Sequence, residues 1–505
     1  MNFIKMFKNI YFYEKIIYLL IPIFVLSLVS GPFLPDLIIS LIALSFLYFF
    51  IKNFKLFIRD KIVKIFFIFY LYIICTSFFS EVPIESLRTS IFYIRFLIFV
   101  IAINVLFNKL KFQYIFFFTF IFLYTSLFFD SIFQIYFGYN IFGFIKDTDR
   151  VSSFFGKELI LGSFVSKTIP IVLYLLFSLK IKKNFFLYLY IIFISFFLVL
   201  VSSERTSLFV YLIIILFSLF LLKKKEILLT FLICFFSILL SFLFYAKTFD
   251  RLYSLTYNQM LSTNKFFLFS YRHQLHYLSA IKMFQDHKFF GSGVKSFRYL
   301  CSDEKYSLKE KIYKDNITYA KNNGQIIYLQ DQKKDQIMYL IINDAMKVDS
   351  AFQNTLFQKF NSNYYYYLSS LDKNHIDSVV YRHSLQGAFK IYVKDGQQIE
   401  KGQSIYSWYA YENGCNTHPH NFYVQFLAEL GAIGFLFIFI FYFFVSSMLF
   451  KFIFILKKNI HPKFILYAGY VAILFPFMPS GNFFNNYLSL LLMLPLCFFK
   501  LCPKK

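Results

Sequence analysis

"KKKEILLTFLICFFSILLSFLFYA", residues 223–246, decides the fold class. A basic tetrapeptide is followed by twenty residues without a charge, the length of helix needed to cross a bilayer core about 30 Å thick. The pattern recurs along the chain. Twelve candidate spans lie near 16–30, 34–51, 62–79, 90–107, 113–136, 160–179, 184–202, 206–222, 227–246, 421–448, 464–479 and 485–500. Composition agrees: the 505 residues are 58% hydrophobic and 16% charged, with a mean hydropathy of +0.59. A soluble domain is nearer 45–50% apolar and about 25% charged. The first apolar run, 16–30, has no small-residue cleavage site and is followed at once by another span, so it reads as a first membrane helix.

The loops set the orientation, because Lys and Arg are retained on the cytoplasmic side. With Lys5 and Lys8 inside, the next inner loops are "KNFKLFIRDK" (52–61), "NKLK" (108–111), "KIKK" (180–183), "KKKE" (223–226) and "KFIFILKKNIHPK" (451–463), with the tail "KLCPKK". All are basic. The opposite loops, "GPFLPD" (31–36), "SEVPIESLR" (80–88), "SSER" (202–205) and "PSGNFFNN" (479–486), carry no basic cluster. The formal net charge of +25 is thus largely topological, scattered over short inter-helix loops. That distribution argues against nucleic-acid binding, which needs a basic patch.

One stretch breaks the alternation. Residues 247–420 contain no span and form a large outer loop between an N-terminal membrane bundle, 1–246, and the C-terminal helices, 421–505. "NGQIIYLQ" (323–330) and "DQIMYLIIND" (335–344) read as strands, and "FKIYVKDGQQIEKGQSIYSWY" (389–409) as a hairpin. The expected architecture is therefore an all-α polytopic membrane protein of about twelve transmembrane helices, with an α+β insert at about 301–415 in the outer loop. Of six cysteines, Cys75, Cys234 and Cys497 lie in apolar spans and Cys502 in the tail. Cys301 and Cys415 are the two in the outer loop; on an oxidising side they form a disulfide closing the insert, the alternative being two free thiols. Neither CxxC nor HExxH occurs, and no metal site is expected.

Four polar features fall on the outer face. "THPHN" (417–421) puts His418, His420 and Asn421 at the mouth of a span, and "SSERTS" (202–207) supplies Glu204 and Arg205. "DRVSSFFGKELILGS" (149–163) carries Arg150, Lys157 and Glu158. "YRHQLHYLSAIKMFQDHKFFGSGVKSF" (271–297) sets Arg272 and His273 on an amphipathic helix before the Gly291–Gly293 turn. Arginine's planar fork suits phosphate oxygens, and a neutral histidine can take a proton from a hydroxyl near pH 7.

These segments resemble the O-antigen ligase and O-antigen polymerase superfamily. "HPHNFYVQFLAELGAIGF" (418–435) looks like its hallmark, "SSERTSLFVYL" (202–212) like its upstream Arg motif, and 271–297 like its Arg, helix, Gly-x-Gly, aromatic segment. "PSGNFFNN" before the last span also fits. The resemblance runs in order over about 150–500, except for 301–414. It implies a GT-C-like bundle in the bacterial inner membrane and a cofactor-free, metal-independent, inverting glycosyltransferase. The implied donor is an undecaprenyl-diphosphate-linked glycan and the acceptor is lipid A–core or a carrier-linked glycan. His420 would be the base and Arg205 and Arg272 the diphosphate ligands, supported by His418, Asn421, Arg150, Glu158 and Glu204.

Plainer roles stand beside these. His420 and Asn421 can cap the following helix, His418 can shape the loop, Arg205 can pair with Glu204, and Arg150 with Glu158. Arg95, Asp130 and Lys167 lie in or near spans, so each is paired in the bundle or part of a pathway. Gly431 and Gly434 suit close helix packing. A flippase or transporter of lipid-linked sugars and a non-catalytic assembly subunit are the competing functions.

Overall fold

Short polar residues start the helices here. Asp60 accepts from the amides of Ile62 and Val63 at 2.9 and 3.2 Å and opens Lys61–Phe78. Asn421 does the same for Phe422–Phe450, and Asn485 for Asn486–Met493. In a medium without water every backbone group must bond within the protein, which makes helices the default between such caps.

The structure is a computed structural model. It describes residues 10–107, 109–146, 150–179, 181, 184–244, 252–253, 271–308, 310–311, 316–319, 324–331, 336–342, 376–383, 387–394, 397–455 and 461–499. Lys5 and Lys8, the "YYYY" tract (364–367), Cys502 and the basic tail lie outside them. The chain forms two units, 1–306 with 416–505, and 307–415.

The first unit is helical. Its helices are α1 (Ile10–Ser27), α2 (Phe33–Lys52), α3 (Lys61–Phe78), α4 (Pro83–Ser90), α5 (Ile94–Phe107), α6 (Leu110–Phe137), α7 (Leu161–Ser178), α8 (Asn184–Val201), α9 (Arg205–Ser218), α10 (Lys224–Phe244), α11 (Tyr271–Asp286), α12 (Phe422–Phe450), α13 (Phe464–Ile473) and α14 (Asn486–Met493). Among the described residues seven stretches are long and apolar enough to cross a membrane: α2, α3, α4 with α5, α6, α7, α10, and α12 with its continuation to Ile455. Four shorter apolar helices fall at 185–201, 205–221, 464–473 and 486–498. α7 is buried almost all round, from Leu161 to Leu176, against α8, α9 and α13. By contrast α10 exposes Leu228, Phe231, Leu232, Phe235 and Phe236, the pattern of a helix that meets lipid.

Two departures from the sequence reading build the outer surface. The expected span 464–479 ends as a helix at Ile473. Pro476, Pro479 and Gly481 cannot continue it, and 474–485 returns as a loop on the 417–421 segment. The second departure is in α12. Gly431 does not serve close helix packing; at φ 66°, ψ −169° it breaks the helix, in a region essentially reserved for glycine. A Cβ there would lie 2.3 Å from the Phe289 carbonyl oxygen. The freed backbone groups bond to the loop after α11. Ser292 N–H donates to Ala428 O (3.0 Å), Gly293 N–H to Glu429 O (2.8 Å) and Ala432 N–H to Lys288 O (2.8 Å). A Cβ on Gly293, φ 109°, would meet Ser80 Oγ at 1.9 Å, so that loop is wedged against 80–86 as well.

In the second unit the described residues include eight strands: β1 (Glu310–Lys311), β2 (Asn316–Tyr319), β3 (Gly324–Asp331), β4 (Gln336–Ile342), β5 (Ile376–His383), β6 (Gly387–Ile391), β7 (Gln398–Ile399) and β8 (Ser404–Glu412). β5-β4-β3-β7 form one antiparallel sheet, with Tyr328 opposite Tyr339. β1-β8-β2 form another, and β6 pairs with β8, placing Phe389 opposite Trp408.

Candidate functional site

α11 carries His273 and His276 three residues apart, which places them on one helix face. The 417–421 loop brings His418 and His420 to that face. Ring centroids are 4.1 Å apart for His418 and His420, 5.0 Å for His273 and His420, and 5.3 Å for His276 and His420. His420 is thus the centre of four imidazoles. Its backbone is left-handed, φ 60°, a conformation costly for a non-glycine residue and common at functional sites. The 474–485 loop holds it there. Ser480 N–H donates to His420 O (2.8 Å), and Ser480 O lies 3.3 Å from His418 Nε2. A carbonyl only accepts, so His418 carries its proton on Nε2, and its Nδ1 accepts from Thr417 Oγ1 at 2.9 Å.

Asn421 is a structural post. Its side-chain oxygen accepts from the amides of Tyr423 and Val424, and its amide nitrogen donates to Pro476 O (2.7 Å) and Met478 O (3.3 Å). One turn on, Gln425 donates to Glu429 Oε2 (3.0 Å) and Asn482 Oδ1 (2.9 Å), and its own oxygen accepts from Phe483 N–H (3.0 Å). The 474–485 loop is therefore bonded to Asn421 and Gln425 at four points.

His273, His418 and His420 are neutral near pH 7. Burial lowers His420 to about 2, helped by His418, His273 and His276. Burial likewise holds His273 near 4, with His276 and the Arg205 charge acting the same way. His418 is also lowered to about 4, by burial first; its bond to Ser480 opposes the shift, and the Arg298 charge adds to it. Charge on Arg205 is thus felt on one side of the cluster and charge on Arg298 on another. Among the described residues no group of three or more His, Cys, Asp or Glu is arranged to hold a metal ion.

The remaining expected residues separate. Arg205 begins α9 and is half-buried; Arg272 begins α11 beside His273 and is exposed. Arg150 pairs with Glu204 at 3.2 Å and donates to the carbonyls of Ser202 (3.2 Å) and Leu159 (2.5 Å). Glu204 in turn accepts from the amides of Gly162 and Ser163, both at 3.1 Å, so its carboxylate sits at the N-terminus of α7. The Arg150–Glu158 pairing is therefore corrected: the carboxylate is that of Glu204. Glu158 is exposed and makes no side-chain bond among the described residues. Arg95 bonds Asp36 at 2.7 Å, Asp130 accepts from Ser153 Oγ (2.6 Å), and Lys167 donates to the Ser163 side chain. Cys301 and Cys415 are both disulfide-bonded, and Cys75, Cys234 and Cys497 are free thiols.

Sequence reasoning passed over His276, Gln425 and Asn482. The i, i+3 spacing from His273 was the available signal for His276; nothing local marks the other two.

Residues 190–328 match the family described as O-Antigen ligase. This supports the O-antigen ligase and polymerase superfamily for a chain that also carries several membrane-spanning-capable helices. The match includes Arg205, Arg272, His273 and His276 and ends before His418 and His420. No curated protein and no solved structure matches the chain.

Proposed function

We propose that this O-antigen-ligase-type protein is an inverting glycosyltransferase. It moves a glycan from an undecaprenyl-diphosphate carrier to a lipid A–core or carrier-linked acceptor at the periplasmic face of the bacterial inner membrane. The observation that carries the reading is the convergence of His273, His276 and His418 on His420, with the Arg205 charge acting on His273 and with Arg205, His273 and His276 inside the family match. Twelve spans with both termini inside, and pairing of Cys301 with Cys415, belong to the same reading.

The chemistry follows from the charges. A diphosphate leaves without protonation but needs its negative charge held in place, which Arg205 and Arg272 do. The acceptor hydroxyl must lose a proton, and His420 takes it. With burial pushing it down to about 2, His420 on its own is a weak acceptor. An anionic diphosphate bound nearby raises an imidazole's pKa, so base strength develops when the donor binds. No step needs a metal.

One observation favours a transporter instead: α12 is broken at Gly431, as transporter helices often are near a substrate path. Here the freed groups are taken up by the 287–293 loop. A reconstituted assay with carrier-linked donor and acceptor, with and without chelator, separates the readings. Transfer lost in His420→Ala and retained with chelator supports the proposal; wild-type rates from His420→Ala, or complete loss with chelator, refute it.

A further inference from the structure

A second basic site lies away from the histidines. A cavity of about 330 Å³ is lined by Arg88, Arg95, Lys295 and Arg298 against a single carboxylate, Glu85, with Asn486 beside it. Sites for small ligands run from roughly 300 to 1,000 Å³. Three facts distinguish it from a solvated charged surface. First, among the described residues the side chains of half-buried Lys295 and exposed Arg298 have no hydrogen-bond or ion-pair partner. Lys295 is buried enough, and near enough to Arg298, for its pKa to be lowered. Glu429 and Asp36 act on Lys295 from nearby without pairing with it, and a cation held in a partly dry place is costly unless an anion completes the set. Second, the Arg95 fork is half used. One terminal nitrogen bonds Asp36, while the buried Nε has no acceptor. Third, the position is built. Lys295 is held at φ 60°, and the residues before it are pinned by Ser80 Oγ to Ser292 O (2.7 Å) and Ser86 Oγ to Val294 O (2.8 Å).

We propose that this cavity binds the phosphate or diphosphate group of the acceptor lipid, so that the protein holds two lipid-linked anions on different sides of the His420 cluster. The identity of the occupant rests on the transferase reading; the anion site does not. Four cations against two carboxylates, Glu85 on Arg88 and Asp36 on Arg95, leave a net positive charge that suits a multiply charged phosphate better than a carboxylate, which one arginine satisfies. Exposed Phe92 and Tyr299 at its edge suit the apolar or sugar portion of such a lipid. Arg298 both lines the cavity and acts on His418, which ties the cavity to the histidine cluster.

The test uses the full chain in zwitterionic nanodiscs, with donor and acceptor concentrations varied independently. The Lys295→Gln/Arg298→Gln double variant should raise the acceptor KM about tenfold to a hundredfold, with the donor KM unchanged. Inorganic pyrophosphate should compete with acceptor in the wild type and not in the double variant. Arg88, exposed and easily replaced without loss of folding, should give a smaller shift of the same sign as Arg88→Gln. A raised donor KM with the acceptor KM unchanged would overturn the proposal. So would inhibition by phosphatidylglycerol added to the discs that acceptor cannot relieve, since that assigns the site to bulk lipid. If the wild type transfers nothing, the transferase reading fails. The site is then read alone by whether pyrophosphate raises the melting temperature of the wild type but not the double variant; equal stabilisation of both overturns it.

Discussion

His420 combines a left-handed backbone, a pKa near 2 and three imidazole neighbours. Each is unfavourable for the fold, so each invites a measurement. Asparagine tolerates the left-handed region, so His420→Asn should insert and fold while losing the base. Transfer should fall by about 10²–10⁴-fold, read in the same reconstituted assay. A second expectation concerns pH. His273, His418 and His420 all have folded pKa values below the ordinary 6.5. The unfolded chain therefore takes up protons first as pH falls, and stability is full above about 6.5 and declines below it. Thermal melts in detergent should show the midpoint dropping between pH 7.5 and 5. The slope should be shallower in His418→Gln, which has one fewer proton to take up on unfolding. An unchanged slope would mean that His418 is solvated.

Elements make these residues meet. Glu204 holds the start of α7 and the Arg150 guanidinium at once, so Glu204→Ala removes the anion beside a half-buried cation and the acceptor of two helix amides. Breaking such a pair costs about 3 kcal/mol, to be read by a denaturation midpoint; Arg150→Ala/Glu204→Ala should recover part of it. Gly431→Ala drives a methyl into the Phe289 carbonyl in a glycine-only conformation, and should lower both stability and transfer although Gly431 touches no imidazole. The sequence carried some of this and hid the rest. Helix positions were legible because membrane length and apolar runs are local quantities. His420, Arg205 and Arg272 were legible through motif order. The break at Gly431 was not: the pattern "GAIG" in an apolar run fits helix packing equally well, and only the approach of Phe289, far away in the chain, decides. Lys295 and Arg298 carried no signal of their own in the sequence, because the cavity they line is a tertiary fact. The Arg150–Glu204 pair joins residues 54 positions apart, beyond what a loop reading can supply.

At the scale of the whole molecule, the ends of the helices should divide cleanly between two compartments, and the polar bonds test whether they do. Asp36, in an expected outer loop, bonds Arg95 and Asn486, both near expected outer ends. Ser80 and Ser86, also outer, bond 292–294. Glu14 pairs with Lys109, and Tyr114 donates to Leu179 O, each joining ends expected inside. None of these bonds joins an expected inner end to an expected outer one. The basic loops at 52–61, 223–226 and 451–463 all fall on the inner set, as retention of Lys and Arg in the cytoplasm demands. The expected outcome is an even number of spans with the C-terminus inside and the second unit outside. A periplasm-active reporter placed after Lys505 should be silent, and the same reporter at Asp372 active. Both in one compartment would remove the topology and, with it, the outward-facing site. Cys301 and Cys415 give an independent check, since a disulfide persists on the oxidising side: thiol reagent added to unreduced membranes should leave both unmodified, and labelling of either would place the insert in the cytoplasm or leave the pair unformed.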